Sequence, residues 1–269
     1  MSGGISKGDI LKRQHESNDL NPNGKKVFLL YPHSVIRDDM MDMLIMAGFE
    51  TYTLSDEIRA RKLLEKFSDS IMFINIDDGL KEDEWENYIR EIKENPQTKH
   101  TRLGIMSYNQ DKALMKKYLM KMEVPCGYIQ LKLGLQESAS IILTALEANE
   151  AKGRRMHIRA ACEDDINASL NYRLGKDLFR GKILDISSAG LAAKFDNNPN
   201  IPAYTVLDGV QVKLRGGLVM TNMIYMGQRQ DDKRIQILLF DPGLPKEDKL
   251  TIHRYIKQCL QKFINGIKI

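Results

Sequence analysis

Apolar positions along this chain fall into two successive patterns. Across residues 25–150, short apolar runs alternate with longer stretches of helical period. Residues 25–31 (KKVFLLY), 50–54, 71–76 (IMFINI), 103–106 and 127–131 are the runs, and each reads as a buried strand. Between them the spacing predicts helices: from Ser34, as an N-cap, to Ala47; from Ser55 to Phe67; from Glu82 to Asn95, stopped by Pro96; from Asp111 to Met122; and from Leu135 to Ala151. Strands alternating with helices at this spacing predict a parallel sheet with helices on both faces, a small doubly wound α/β domain. Met40, Met41, Met43 and Met46 share one predicted helix and read as core filling.

After Lys152 the period shortens. Strand-like pieces at 167–172, 179–186, 191–195, 210–214, 218–226 and 234–240 are separated by turn signals such as Leu174-Gly175-Lys176-Asp177 and Gln230-Asp231-Asp232. Short strands at regular spacing predict an all-β barrel or sandwich. Residues 246–264 then read as an amphipathic helix with Leu250, Tyr255, Ile256 and Leu260 on one side. The expected organisation is a disordered leader over 1–24, an α/β domain over 25–150 and an all-β domain with its helix over 151–269.

Composition narrows the function. No apolar run approaches the roughly 20 residues that cross a bilayer, and the polar N-terminus lacks a signal-peptide core, so a cytoplasmic protein without membrane insertion is expected. Forty basic residues against 36 acidic ones leave a net charge of +4, too even a balance to call for nucleic acid. Cys126, Cys162 and Cys259 lie far apart, which predicts neither a metal site nor a disulfide framework. No nucleophile and base sit together, so no enzyme and no cofactor are expected. His33, His100, His157 and His253 have no acid or nucleophile nearby in sequence and read as surface or core residues, and Asp77-Asp78 reads as a solvated turn.

Chemistry concentrates in two short stretches. Arg154, Arg155 and Arg159 lie within six residues just before the first strand of the second domain. A guanidinium donates two parallel hydrogen bonds to phosphate, and it can read guanine O6 and N7 or stack on a purine. Asp185, Ser187 and Gly190 follow on a strand-to-turn pattern. A carboxylate there can accept the N1 and N2 protons of guanine, Ser187 can add a hydroxyl, and Gly190 allows a turn that a side chain would obstruct. Taken singly, the arginines also read as a solvated basic linker and Asp185 and Ser187 as turn caps.

Arg155-x-x-x-Arg159 followed by Asp185-x-Ser187-x-x-Gly190 resembles the PilZ domain, over residues 152 to about 268, and the terminal helix around His253-Arg254-Tyr255-Ile256 is similar to that family as well. The resemblance implies a six-stranded antiparallel β-barrel with a C-terminal helix, in a bacterial receptor for cyclic di-GMP. Arg155 and Arg159 would grip phosphate and guanine, and Asp185, Ser187 and Gly190 the other guanine edge. Arg154 stands where the family sets whether one ligand or a stacked pair binds, and Ala189 stands where many members carry a second glycine. Residues 25–150 resemble the receiver domain of response regulators, in degenerate form. Leu30-Tyr31-Pro32-His33 replaces the acidic pair that holds magnesium. Asn75 or Asp77 stands near the phosphoacceptor position, and Ser107 and Lys132 near the switch hydroxyl and lysine.

The function so implied is a second-messenger receptor in which ligand capture at the linker orders it and rotates the barrel against the receiver-like domain. An unidentified protein partner and motility, adhesion or virulence-type regulation go with it. Two alternatives remain: a PilZ-like adaptor that binds no nucleotide, and a phosphorylation-dependent response regulator.

Overall fold

The computed structural model describes residues 24–197 and 199–269. The leader expected over 1–24 therefore lies, apart from Gly24, outside the described residues. The N-terminal half runs β1 (Lys26–Leu30), α1 (Ser34–Met46), β2 (Thr51–Leu54), α2 (Glu57–Lys66), β3 (Ser70–Asn75), α3 (Glu82–Glu94), β4 (Arg102–Ser107), α4 (Lys112–Lys116), β5 (Tyr128–Gln130) and α5 (Leu135–Ala148). The five strands form one parallel sheet in the order β2-β1-β3-β4-β5. Every residue of β3 is buried, as a strand covered on both faces requires. The doubly wound domain expected from the alternation is present. Helix α3 shows why the period worked: Trp85, Tyr88, Ile89 and Ile92 fall on one stripe and are the residues it buries.

Local chemistry moved some boundaries. The cap of α1 is His33 rather than Ser34, because the His33 Nδ1 accepts the Val35 amide hydrogen at 3.3 Å. The helix expected to reach Met122 leaves the α conformation after Lys116 and continues as a π-helical turn, Lys117–Lys121. Met40 and Met41 are core residues, but Met46, in the last turn of α1, is 72% exposed. Cys126, Cys162 and Cys259 are free and buried, and burial pushes the thiols of the first two up to about 12.

The C-terminal half contains β6 (Ala160–Ala161), β7 (Ser169–Leu174), β8 (Asp177–Ile186), β9 (Gly190–Phe195), β10 (Thr205–Leu214), β11 (Gly217–Gln228), β12 (Ile235–Phe240) and α6 (Lys246–Gly266). Strands β8-β7-β10-β11-β12-β9 pair antiparallel in that order, and a β8–β9 pairing closes the ring into the expected six-stranded barrel. Alternate residues fill it, as in β10, where Leu207, Val210, Val212 and Leu214 point inward past a bulge. The two-residue β6, which no sequence signal announced, adds to the outside of β8.

Helix α6 serves both halves, which explains its length. Towards the barrel, the Tyr255 hydroxyl donates to Asp165 at 3.1 Å. Towards the parallel sheet, Lys257 Nζ lies 2.8 Å and His253 Nε2 3.2 Å from Asp42 of α1. His253 is thus a buried junction residue. Leu250, expected on the packed side, is 48% exposed, because the buried stripe begins only two residues later, at Ile252. The junction also solves an edge problem. Strand β2 ends the sheet, so its outer backbone groups have no strand partner. The Gln261 amide takes that place: its Oε1 accepts from the Thr53 N–H at 3.1 Å, and its Nε2 donates to the Thr53 carbonyl at 2.9 Å. Arg59 of α2 closes the other end of the contact, donating to the carbonyls of Ile264, Asn265 and Ile267 at 2.8 to 3.1 Å. A cation there satisfies the last carbonyls of α6 and its negative dipole end.

Replacing Gln261 with Leu should strip the Thr53 amide of its partner while leaving the sheet interior alone. Amide hydrogen exchange followed by NMR should show Thr53 exchanging at least about fivefold faster, with Phe28 in the central strand unchanged. An unchanged Thr53 rate would mean that Gln261 does not protect the edge.

Candidate ligand site

The arginine stretch forms a strap between α5 and β6. Its first residues lie against the N-terminal half: Lys152 bridges Gly24, and the Lys25 N–H donates to the Ala151 carbonyl at 2.9 Å. Two glycines make room for it. A Cβ on Gly24 would stand 2.3 Å from the Ala151 carbonyl oxygen, and one on Gly48 would stand 2.9 Å from that of Met156. Gly48 also ends α1 with φ +91°, a conformation that favours glycine. Ile158 is buried and pins the strap, while Arg155 and Arg159 are half-buried and Arg154 is exposed.

Asp185 reaches the strap because β8 is bulged between Ile183 and Asp185. The bulge lets Ile183 and Ile186 both face the interior, with Leu184 and Asp185 half-exposed between them. Asp185 is paired with Ala161 in β6, and Arg159, just before that strand, lies with its Nε 3.3 Å from Asp185 Oδ1. The two motifs, 26 residues apart in the chain (185 − 159), thus meet on the outer face of the barrel at the junction of the halves.

The other two residues of the second motif serve the turn itself, the alternative already open for Ser187. Ser187 is buried, and its hydroxyl donates to the Gly190 carbonyl at 3.2 Å and accepts the Ala189 N–H at 3.3 Å. It holds the tight turn that carries β8 into β9. Gly190 has no left-handed φ; a Cβ there would stand 2.3 Å from the Leu238 carbonyl oxygen, so glycine is needed for the close approach of β12. Ser188 at the tip of the turn hydrogen-bonds His157 Nδ1 at 2.9 Å, tying turn to strap. His157 had no partner in sequence and finds this one only in the fold.

Burial raises the Asp185 carboxyl above its ordinary range, although Arg159, Arg155 and Arg229 all pull it down. Its Oδ1 is buried and accepts no hydrogen bond. Burial also lowers Arg155, with repulsion from Arg159 next, while Asp185 and Glu50 oppose both. Arg229, just beyond β11, was missed because the following Asp231-Asp232 read only as a turn. The pairing of β11 with β12 and of β12 with β9 brings it towards Asp185. The assembled groups can take a phosphate on the arginines and a paired N–H edge on the carboxylate.

The receiver-like positions behave differently. Asn75 donates from Nδ2 to the Tyr31 carbonyl at 2.9 Å, a structural role. Asp77, although exposed, is more than a solvated turn: its carboxylate accepts the Ser107 hydroxyl at 2.5 Å and the Tyr108 N–H at 2.6 Å. Among the described residues no three His, Cys, Asp or Glu side chains group as a metal site, and no helix is long and apolar enough to cross a membrane.

Because the folded pKa of Asp185 lies above the unfolded one, ionising it costs stability. That stability is intact below the unfolded pKa and is lost as pH rises through the folded one. Asp185→Asn, which does not titrate, should therefore gain on the wild type in urea-unfolding stability between about pH 3 and about pH 7. A difference that stays flat or shrinks would contradict this.

No family model matches the sequence, and no curated protein matches it. Among solved structures, the PilZ domain of YcgR from Escherichia coli with c-di-GMP aligns at 14% identity and a TM-score of 0.34, over 39% of this chain and 91% of that one. The inhibitor of motility MotI from Bacillus subtilis aligns at 14% identity and a TM-score of 0.33, over 42% of this chain and 53% of its own. A signal receiver domain of an HD-domain-containing protein from Pseudomonas fluorescens aligns at 17% identity and a TM-score of 0.39, over 48% of this chain and 99% of that one.

Proposed function

We propose that this chain is a receptor for cyclic di-GMP, the ligand that the paired motifs imply. The observation that carries the reading is the convergence of Arg155, Arg159 and Asp185 on one outward shelf, with Arg159 Nε 3.3 Å from the half-buried Asp185 carboxylate. Before binding, the shelf is held at an electrostatic cost. Two guanidinium groups repel one another, and a carboxylate is half removed from water. A phosphate between the arginines relieves the first, and the N1–H and N2–H of guanine relieve the second. Ser187 and Gly190 act by shaping the turn that presents Asp185. Arg154, exposed on the strap, meets a second ligand of a stacked pair in this reading.

The strap touches the N-terminal half at Gly24 and Gly48, so drawing Arg155 and Arg159 onto a ligand pulls on the domain junction. A protein partner then reads the altered arrangement. The chain works by binding, without catalysis.

Calorimetric titration with cyclic di-GMP should give saturable heat at ligand concentrations up to about 50 µM. Arg159→Ala and Asp185→Ala should each weaken binding by about tenfold or more. Cyclic di-AMP should give none, because adenine lacks the N1–H and N2–H pair. No heat for the wild type with cyclic di-GMP would sink the reading. For the coupling, small-angle X-ray scattering should show a changed interdomain distance on saturation, and identical profiles would remove that part alone.

A further inference from the structure

The turn joining β11 to β12 carries two guanidinium forks, each already folded onto a carboxylate. Arg229 Nε and Nη2 contact Asp231 Oδ1 and Oδ2, both at 2.6 Å. Arg234 holds Asp232 in the same way at 3.0 and 2.9 Å. The two pairs face different neighbours. Strand register sets Asp185 of β8 beside Ala192 of β9, Ala192 beside Ile237 of β12, and Ile237 beside Gly227 of β11. Arg229 lies two residues beyond Gly227. Three strand spacings, about 14 Å, separate the ends of this row. No residue between them carries a charge, and at Gly227 a bulge leaves no side chain at all. Arg229 and Asp185 accordingly each count among the charges felt by the other. Asp232 instead feels Lys194.

We propose that Arg229 is a third guanidinium of the ligand site, held in reserve by Asp231 and handed to a ligand phosphate on binding. The inference rests on the cyclic di-GMP reading above and extends it across the barrel face. The exchange is favourable on magnitude. The Arg229–Asp231 pair is solvent-exposed, where ion pairs contribute little net stability. A carboxylate also presents two coplanar oxygens to the fork much as a phosphate does, so the arginine keeps its donor geometry when it changes partner. Shielding by Asp231 has a second effect: it keeps a basic fork from attracting other phosphates while the site is empty. Arg155 and Arg159 on the strap and Arg229 on the turn then enclose the ligand from opposite sides, with Asp185 between them.

The test is a set of calorimetric titrations with cyclic di-GMP on the wild type, Arg229→Ala, Asp231→Asn, the double variant and Arg234→Ala. Removing Arg229 should weaken binding by about tenfold, the value of a charge-assisted hydrogen-bonded contact. Asp231→Asn should tighten it by about threefold by freeing the fork, and that gain should vanish in the double variant. Arg234→Ala should stay within about twofold of the wild type. The backbone bond from the Arg229 N–H to the Ile235 carbonyl, 2.8 Å, is untouched by these changes, and unchanged thermal unfolding checks that the turn is intact. The proposal is overturned if Arg229→Ala binds like the wild type, if Arg234→Ala weakens binding equally, or if Asp231→Asn helps without Arg229. A wild type that binds no cyclic di-GMP removes the receptor reading and this proposal together. A wild type that binds with all variants alike removes only this one.

Discussion

The open edge of β2 is the constraint from which the arrangement of this molecule follows. A parallel sheet of five strands has two edges, and the backbone of each must be satisfied by something other than a strand. Here the Gln261 side chain supplies both a donor and an acceptor to Thr53. Because Gln261 belongs to the helix that also covers the barrel, satisfying that edge fixes where the barrel stands. Arg59 on the terminal carbonyls and Lys257 with Asp42 fix the helix along its length. With the halves so placed, the connection from α5 to β6 must run across the end of α1. The arginines therefore arrive beside Asp185 instead of projecting freely from a linker.

The site itself works against stability. Burial disfavours the charge on Asp185 and that on Arg155, and the neighbouring Arg159 adds to the second. Their positions are enforced by features that are individually well satisfied: the Ser187 turn, the close packing of Gly190 on β12, the bulge in β8 and the Ile158 anchor. Scaffold and chemistry are thus divided within a single motif. Ser187 and Gly190 belong to the scaffold, and Asp185 is the residue they present beside the arginines.

That division marks how far the sequence could be read. The alternation of apolar runs and helical stripes located every strand of the parallel sheet, and the six longer β pieces located every strand of the barrel, because burial imposes period and period is local. That Arg155, Arg159 and Asp185 belong together was implied by the resemblance to the PilZ motifs, since the spacing of either stretch alone also fits a basic linker or a turn cap. What was not legible depended on contacts distant in sequence. Nothing near Gly190 states that the Leu238 carbonyl will approach it, and nothing near His157 points to Ser188. The exposure of Leu250 depends on where the buried stripe of its helix begins, a matter of docking rather than amphipathicity. Arg229 was hidden because its neighbourhood arises from register across four strands.

The double attachment of the halves has a mechanical consequence. They are joined covalently by the strap and non-covalently by the terminal helix, at separate places on the junction. Two lines of attachment define an axis, as two pins define the swing of a door. Rotation about that axis leaves both in place, whereas any other displacement must break one of them. Motion of one half against the other is therefore confined to a single degree of freedom.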